Sequence, residues 1–170
     1  TAKKELLEEF REKLDNFHGK INIGVSWKSF NNRYAGEKSL VLNDFDLIFE
    51  TENCNFINLQ YGNVNKEIEE FNKKFRKNII TIKNLDLMND FDRLASVLKN
   101  LDLFITVSNS TAHLAGSLGV KTLLIRPSNH AKFHYWNQPG DSTPWYQSIN
   151  FLNKEQILNN KQVLKKYLDI

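Results

Sequence analysis

Cysteine is nearly missing from this sequence: Cys54 stands alone among 170 residues. One thiol closes no intrachain disulfide, which excludes a stapled secreted fold and points to a reducing compartment. It lies in the strand-like stretch NCNFINL, 53–59, where a small buried residue is the ordinary role of a free thiol. Long apolar runs are missing too. Nothing approaches the roughly 20 residues of a membrane span, and no secretory signal pattern is visible, so a cytoplasmic protein is expected. The glycosylation triplet Asn109-Ser110-Thr111 is incidental on that reading. Strong charge is also lacking. A net charge of +3 and a pI near 8.9 suit an anionic ligand but are too weak to argue for nucleic acid. The chain opens on Thr1 without an initiator methionine, which suggests an excised fragment.

The familiar nucleotide and catalytic signatures are absent as well. No GxGxxG follows the first predicted strand, and GSLGVKT, 116–122, has the wrong spacing for a P-loop. There is no GxSxG elbow, and no predicted strand ends in the aspartate a phospho-acceptor would use. His130 and His134 are four apart without the glutamate of a zinc motif, and His18 sits at a helix end. A zinc site would further require Asp141 or Cys54 to converge, so neither metal nor cofactor is expected.

What is present is the composition of one domain with a substantial core. Hydrophobic residues make up 41%, charged residues 25%, and phenylalanine alone occurs 12 times. Residues 3–17 carry apolar side chains at helical spacing, with Gly19 as a stop. Strands are predicted at 21–27, 55–60, 78–82, 102–107, 121–125 and 148–152. Helices are predicted at 44–51, 64–77, 90–99, 109–118 and 154–168, with loops at 28–39 and 128–147. Asn89 to Asp92 has the spacing of a capping box for the third of these helices. Pro127 ends the fifth strand. Apolar strands alternating with helices predict a single α/β domain, a doubly wound parallel sheet of Rossmann-like type.

In such sheets ligands bind beyond the carboxyl ends of the strands. The run ITVSNSTAHLAGSLG, 105–119, passes there from a strand into a helix through four small polar residues. With Ser108 or Asn109 as N-cap, the amides of Ser110, Thr111 and Ala112 have no partner within the helix. The helix dipole adds roughly half a positive charge. A phosphate could be held by these amides, by the Ser110 and Thr111 hydroxyls and by His113 in the first turn. The competing reading is a satisfied cap with a structural His113. Lys28 follows the first strand, and in a 3-2-1-4-5 order strands one and four are neighbours. Lys28 would then face the same crevice, unless it is an ordinary surface lysine. Gly116 permits close packing against the sheet.

The stretches GVSWK, KSLVL, NLQYG, MNDFDRLASVLKNLDLFITVSNSTAHLAGSLGVKTLLI and DSTPWYQSINFL occur in that order. Together they resemble the carboxyl-terminal half of bacterial glycosyltransferases often fused to tetratricopeptide repeats. These are relatives of the heptosyltransferases and, more distantly, of O-linked N-acetylglucosamine transferases. The resemblance runs from Ile21 to Leu152, between a leading helix (1–19) and a closing segment (153–170). It implies one half of a GT-B fold, binding a nucleotide-diphosphate sugar without metal. Ser110, Thr111 and His113 match the turn that holds the donor diphosphate. Lys28 matches the basic residue after the first strand, and Leu87, Met88 and Asn89 match a loop bordering the nucleoside. The heptosyltransferase pattern Asp-Thr/Ser-Gly-x-x-His is replaced by Ser108 to His113, without the Asp or the Gly, and Thr143 is an apparent insertion. The 170 residues themselves hold no amino-terminal acceptor domain and no repeat array. The general base usually comes from that missing domain, so the isolated chain is expected to be inactive.

An aromatic loop, 133–146, holds Phe133, His134, Tyr135, Trp136, Trp145 and Tyr146. It could face a sugar or base, contact another domain, or pack beneath itself. Packing is the expectation for Trp145, whereas Trp136 fits either role. Tyr61 is similarly placed, and Gln60 could bond a sugar hydroxyl or simply end its strand. Two alternatives to a transferase remain: a non-catalytic nucleotide or sugar-phosphate binding module, and an interaction domain using the aromatic loop.

Overall fold

The computed structural model describes residues 2–17, 21–30, 35–126, 135–159 and 163–168. Its strands are β1 (Ile21–Ser26), β2 (Cys54–Asn58), β3 (Ile79–Ile80), β4 (Leu103–Val107), β5 (Thr122–Ile125), β6 (Ser142–Thr143) and β7 (Tyr146–Leu152). Its helices are α1 (Lys4–Asp15), α2 (Ala35–Lys38), α3 (Asp46–Phe49), α4 (Asn65–Phe75), α5 (Phe91–Lys99), α6 (Ser110–Ser117), α7 (Lys154–Asn159) and α8 (Lys165–Leu168). A 3-10 turn, Leu42–Phe45, leads into α3. The sheet order is β3-β2-β1-β4-β5-β7-β6, parallel throughout except for β6. β1 and β4 lie side by side, with Ile23 opposite Leu103 and Ser26 opposite Thr106.

Strand alternation sends side chains to two cores. Ile23, Val25, Leu103, Ile105, Val107, Leu123 and Ile125 point to one face, where Ile48 and Phe49 of α3, Ile68 and Phe71 of α4 and Ile157 of α7 cover them. Ile57, Leu59 and Phe104 point to the other face, against Phe10 and Leu14 of α1, Leu94, Val97 and Leu98 of α5, and Ala115 of α6. Each such large apolar side chain contributes about 1.5–3 kcal/mol on burial. Gly24 in β1 is demanded by this second face. A Cβ there would lie 2.5 Å from Leu101 and 2.9 Å from Leu59.

Several elements depart from the sequence reading for local reasons. The α5 cap is Asp90, one residue later than the expected box, and its carboxylate accepts the Arg93 amide at 3.0 Å. β3 shrinks to two residues at the sheet edge. The last strand begins earlier than expected and folds back on β6 as an antiparallel pair. The closing helix resolves into α7 and α8, and the loop 28–39 carries the short α2. The leading helix is docked by Arg93, which bonds Glu9 at 2.9 Å and stacks 5.0 Å over the Phe10 ring. No helix among the described residues is long and apolar enough to cross a membrane.

Candidate functional site

The carboxyl ends of β1, β2 and β4 are tied by one buried hydrogen-bond relay. Asn109 Nδ2 donates to Ser26 Oγ at 2.9 Å, and Ser26 Oγ donates to Gln60 Oε1 at 3.1 Å. The same Gln60 oxygen accepts the amides of Trp27 at 2.8 Å and Lys28 at 2.6 Å, while Nε2 donates to the Tyr61 carbonyl. These donors fix which way the amide faces. Gln60 is 1% exposed, and both ends of its side chain are engaged within the protein. Of its two sequence readings, geometry takes the strand-end brace.

Asn109 is the N-cap of α6: its Oδ1 accepts the Ala112 amide at 3.0 Å. The expectation that Ala112 offers its amide to a ligand is therefore corrected. The amides of Ser110 and Thr111 remain in the first turn, where the helix has no carbonyl of its own to bond them. Beside Ser110 lies a cavity of about 280 Å³ lined by Ser29, Lys38, Tyr61, Ser108, Asn109, Ser110 and His113; Thr111 is not part of its lining. Ser110 is exposed and Thr111 buried. Ser108 Oγ accepts the indole N–H of Trp136 at 3.1 Å.

The lysine lining this cavity is Lys38, not Lys28. Lys28 Nζ reaches Glu67 Oε2 on α4 at 2.5 Å, and the other oxygen of Glu67 accepts the Trp27 indole N–H at 3.1 Å. Lys38 ends α2 and is buried, and burial holds its pKa below the usual lysine value. Sequence reasoning passed over Lys38 because it sits in a polar loop stretch. The only signal was KSLVL, where a lysine precedes an apolar run.

His113 sits inside an aromatic cluster. Its Nδ1 lies 3.1 Å from the Tyr146 hydroxyl, its ring 4.7 Å from Trp136 and 5.0 Å edge-on to Tyr135. Trp136 is fully buried and supports Ser108 and His113 from beneath. Trp145, expected to pack away, is instead 55% exposed, edge-on to Tyr135 at 5.5 Å. Phe133 and His134 of this loop, with His18 and His130, lie outside the described residues.

Tyr61 also borders a second groove of about 640 Å³, which Leu87 and Met88 help to line. Asn89 turns back, its side chain donating to Asp86 Oδ2 at 2.9 Å. Asp86 also accepts the amides of Met88 and Asn89, and these bonds, led by that from the Asn89 side chain, hold its carboxyl below the usual pKa. Among the described residues no group of three or more His, Cys, Asp or Glu converges as a metal site.

A solved glycosyl transferase family 9 protein from Veillonella parvula shares this architecture, with a TM-score of 0.64 over 90% of the chain. The two have one fold. Sequence identity between them is 14%, and the match covers 42% of the solved chain. Protein FlbA of Caulobacter vibrioides is 29% identical over 138 residues, which are 79% of this chain and 22% of FlbA. No family model matches the sequence. The chain thus spans about a fifth of the curated relative and less than half of the solved one. The expected Rossmann-like parallel sheet is the one observed, and its first five strands lie in the expected order, 3-2-1-4-5.

Proposed function

We propose that this chain is the donor-binding domain of a glycosyltransferase, taking a nucleotide-diphosphate sugar with its diphosphate at the amino end of α6. The observation that carries the reading is a convergence in one cavity: the first turn of α6, His113 and the buried Lys38. The positive charge of Lys38 and the partial positive charge of the helix terminus both attract a dianion. During transfer an acceptor hydroxyl attacks the anomeric carbon and the bond from that carbon to the diphosphate oxygen breaks. Negative charge then grows on the leaving diphosphate. On this reading Lys38, His113 and the Ser110 amide stabilise it in place of a metal ion. The attacking hydroxyl gives its proton to a base in an acceptor domain amino-terminal to this one. The groove beside Tyr61, Leu87 and Met88 takes the nucleoside. Likeness to the solved transferase supports this reading at the level of fold.

Titration with uridine, guanosine and adenosine diphosphates tests it. His113→Ala should weaken the preferred nucleotide by roughly ten- to a hundredfold, the worth of a charge-assisted contact. Unchanged affinity with a lowered melting temperature would mean that His113 is only a core residue. If no nucleoside diphosphate binds the wild type, the exposed Trp145 favours the interaction-domain reading instead.

A further inference from the structure

We propose that Asn58 is a specificity-determining residue of the groove beside Tyr61, donating from Nδ2 to a carbonyl oxygen of the ligand, so that the groove takes a keto base in preference to adenine. That the ligand is a nucleotide rests on the reading above; that Asn58 offers a donor and no acceptor does not.

Three buried side-chain amides gather at the carboxyl ends of β2 and β4: Asn58, Gln60 and Asn109. Gln60 and Asn109 are engaged within the protein at both oxygen and nitrogen. Asn58 is engaged at one end. Its Oδ1 accepts the Gln60 amide at 2.9 Å, which decides the way the side chain faces. Nδ2 finds no partner among the described residues, yet it is not sealed in. Asn58 is 4% exposed and lines the groove of about 640 Å³, so the groove is where that nitrogen opens. Water or a ligand must satisfy it there.

The rest of the groove narrows what can meet it. Tyr61, Leu87 and Met88 supply apolar surface suited to a flat ring. Among the described residues Lys83 and Asp86 are its charged side chains, one of each sign, so the lining has no net charge to favour an anion. The Asp86 carboxylate is turned to the Met88 and Asn89 amides and the Asn89 side chain. A ribose hydroxyl can accept from one end of an amide or donate to the other, and so reads nothing from the orientation of Asn58. A carbonyl oxygen accepts from Nδ2, whereas an exocyclic amino group would set donor against donor. Adenine carries that amino group where a keto purine carries oxygen, and uracil likewise presents carbonyls.

The test titrates the whole chain with inosine, uridine and adenosine diphosphates, with inorganic pyrophosphate and with the three free nucleosides. Inosine and adenosine form the decisive pair, because oxygen replaces the amino group on bases of the same shape. Inosine or uridine diphosphate should bind about tenfold more tightly than adenosine diphosphate, the difference between a hydrogen bond made and a donor facing a donor. The Asn58 side-chain N–H signals, assigned through the backbone, should move with the keto nucleosides and stay in place with adenosine. Asn58→Asp keeps an oxygen for the Gln60 amide, turns the donor into an acceptor and should erase the preference. A change in stability or overall charge acts on both nucleotides alike and cancels in their ratio. A wild type that binds adenosine diphosphate as tightly as the keto nucleotides overturns the proposal without any variant, and so does an unchanged ratio in Asn58→Asp. Pyrophosphate bound as tightly as every nucleotide overturns it too, leaving the diphosphate site in place. Keto nucleosides that move the Asn58 signals in a chain that ignores pyrophosphate overturn the diphosphate site alone. A chain that binds none of these probes overturns both.

Discussion

Replacing Gln60 by leucine should cost far more than the loss of one polar side chain. Gln60 Oε1 accepts the amides of Trp27 and Lys28 and the hydroxyl of Ser26, and its Nε2 reaches the Tyr61 carbonyl. Leucine has nearly the same bulk and offers none of these bonds. The Ser26 hydroxyl can turn elsewhere, but the two amides cannot. A buried donor left without a partner costs about 1–3 kcal/mol. Lys28 is part-buried, so its amide recovers some hydration, and the sum comes to about 3 kcal/mol. For a domain of this size that is a melting temperature lowered by roughly 6–12 °C. With a urea slope near 2 kcal/mol/M, the unfolding midpoint falls by about 1.5 M. Fluorescence of the buried Trp27 and Trp136 follows the transition. A loss below about 1 kcal/mol would refute the reasoning. It would mean that the Gln60 amide is not braced against these groups and is free to face a ligand.

Three further outcomes follow from lysine and cysteine environments. Lys38→Met should abolish most pyrophosphate binding, whereas Lys28→Met should leave it largely intact, as two parallel titrations would show. The folded-state pKa of Lys38 is depressed, so the unfolded chain binds more protons between that value and 10.5. Its burial therefore weakens the fold at neutral pH, and the penalty fades as pH rises through that window. Relative to Lys38→Met, the wild type should gain stability as pH rises toward 10.5; a loss over the same range would contradict the burial. Burial, helped by Asp102, pushes the Cys54 thiol up to about 11. Its reaction with a disulfide reagent at pH 8 should be much slower in the native protein than in urea.

The sheet was legible because its central strands are predominantly apolar. Leu103 to Val107 and Thr122 to Ile125 are buried at every position, with one threonine in each the only polar side chain. The edge was less legible. Asn78 to Ile82 looks like five strand residues, yet only Ile79 and Ile80 pair, because just one neighbour is available to them. The start of α6 was legible as a turn chemistry, down to Asn109 as a possible cap. Which cation faces it was not. Lys28 has the suggestive position, but Glu67 lies on another helix and takes its ammonium. The tryptophans were likewise separated by partners remote in sequence: Trp136 finds Ser108 for its indole N–H and is buried, while Trp145 stands half in solvent.

The relay from Asn109 through Ser26 to Gln60 is built of two amides and a hydroxyl. None of them titrates, and neutral dipoles in contact are barely screened by dissolved ions. The platform beneath the cavity should keep one shape across the pH and salt conditions in which the protein stays folded. Any dependence of anion binding on ionic strength or acidity then reports on Lys38, His113 and the ligand themselves. The protein carries its own internal reference for measuring those contacts.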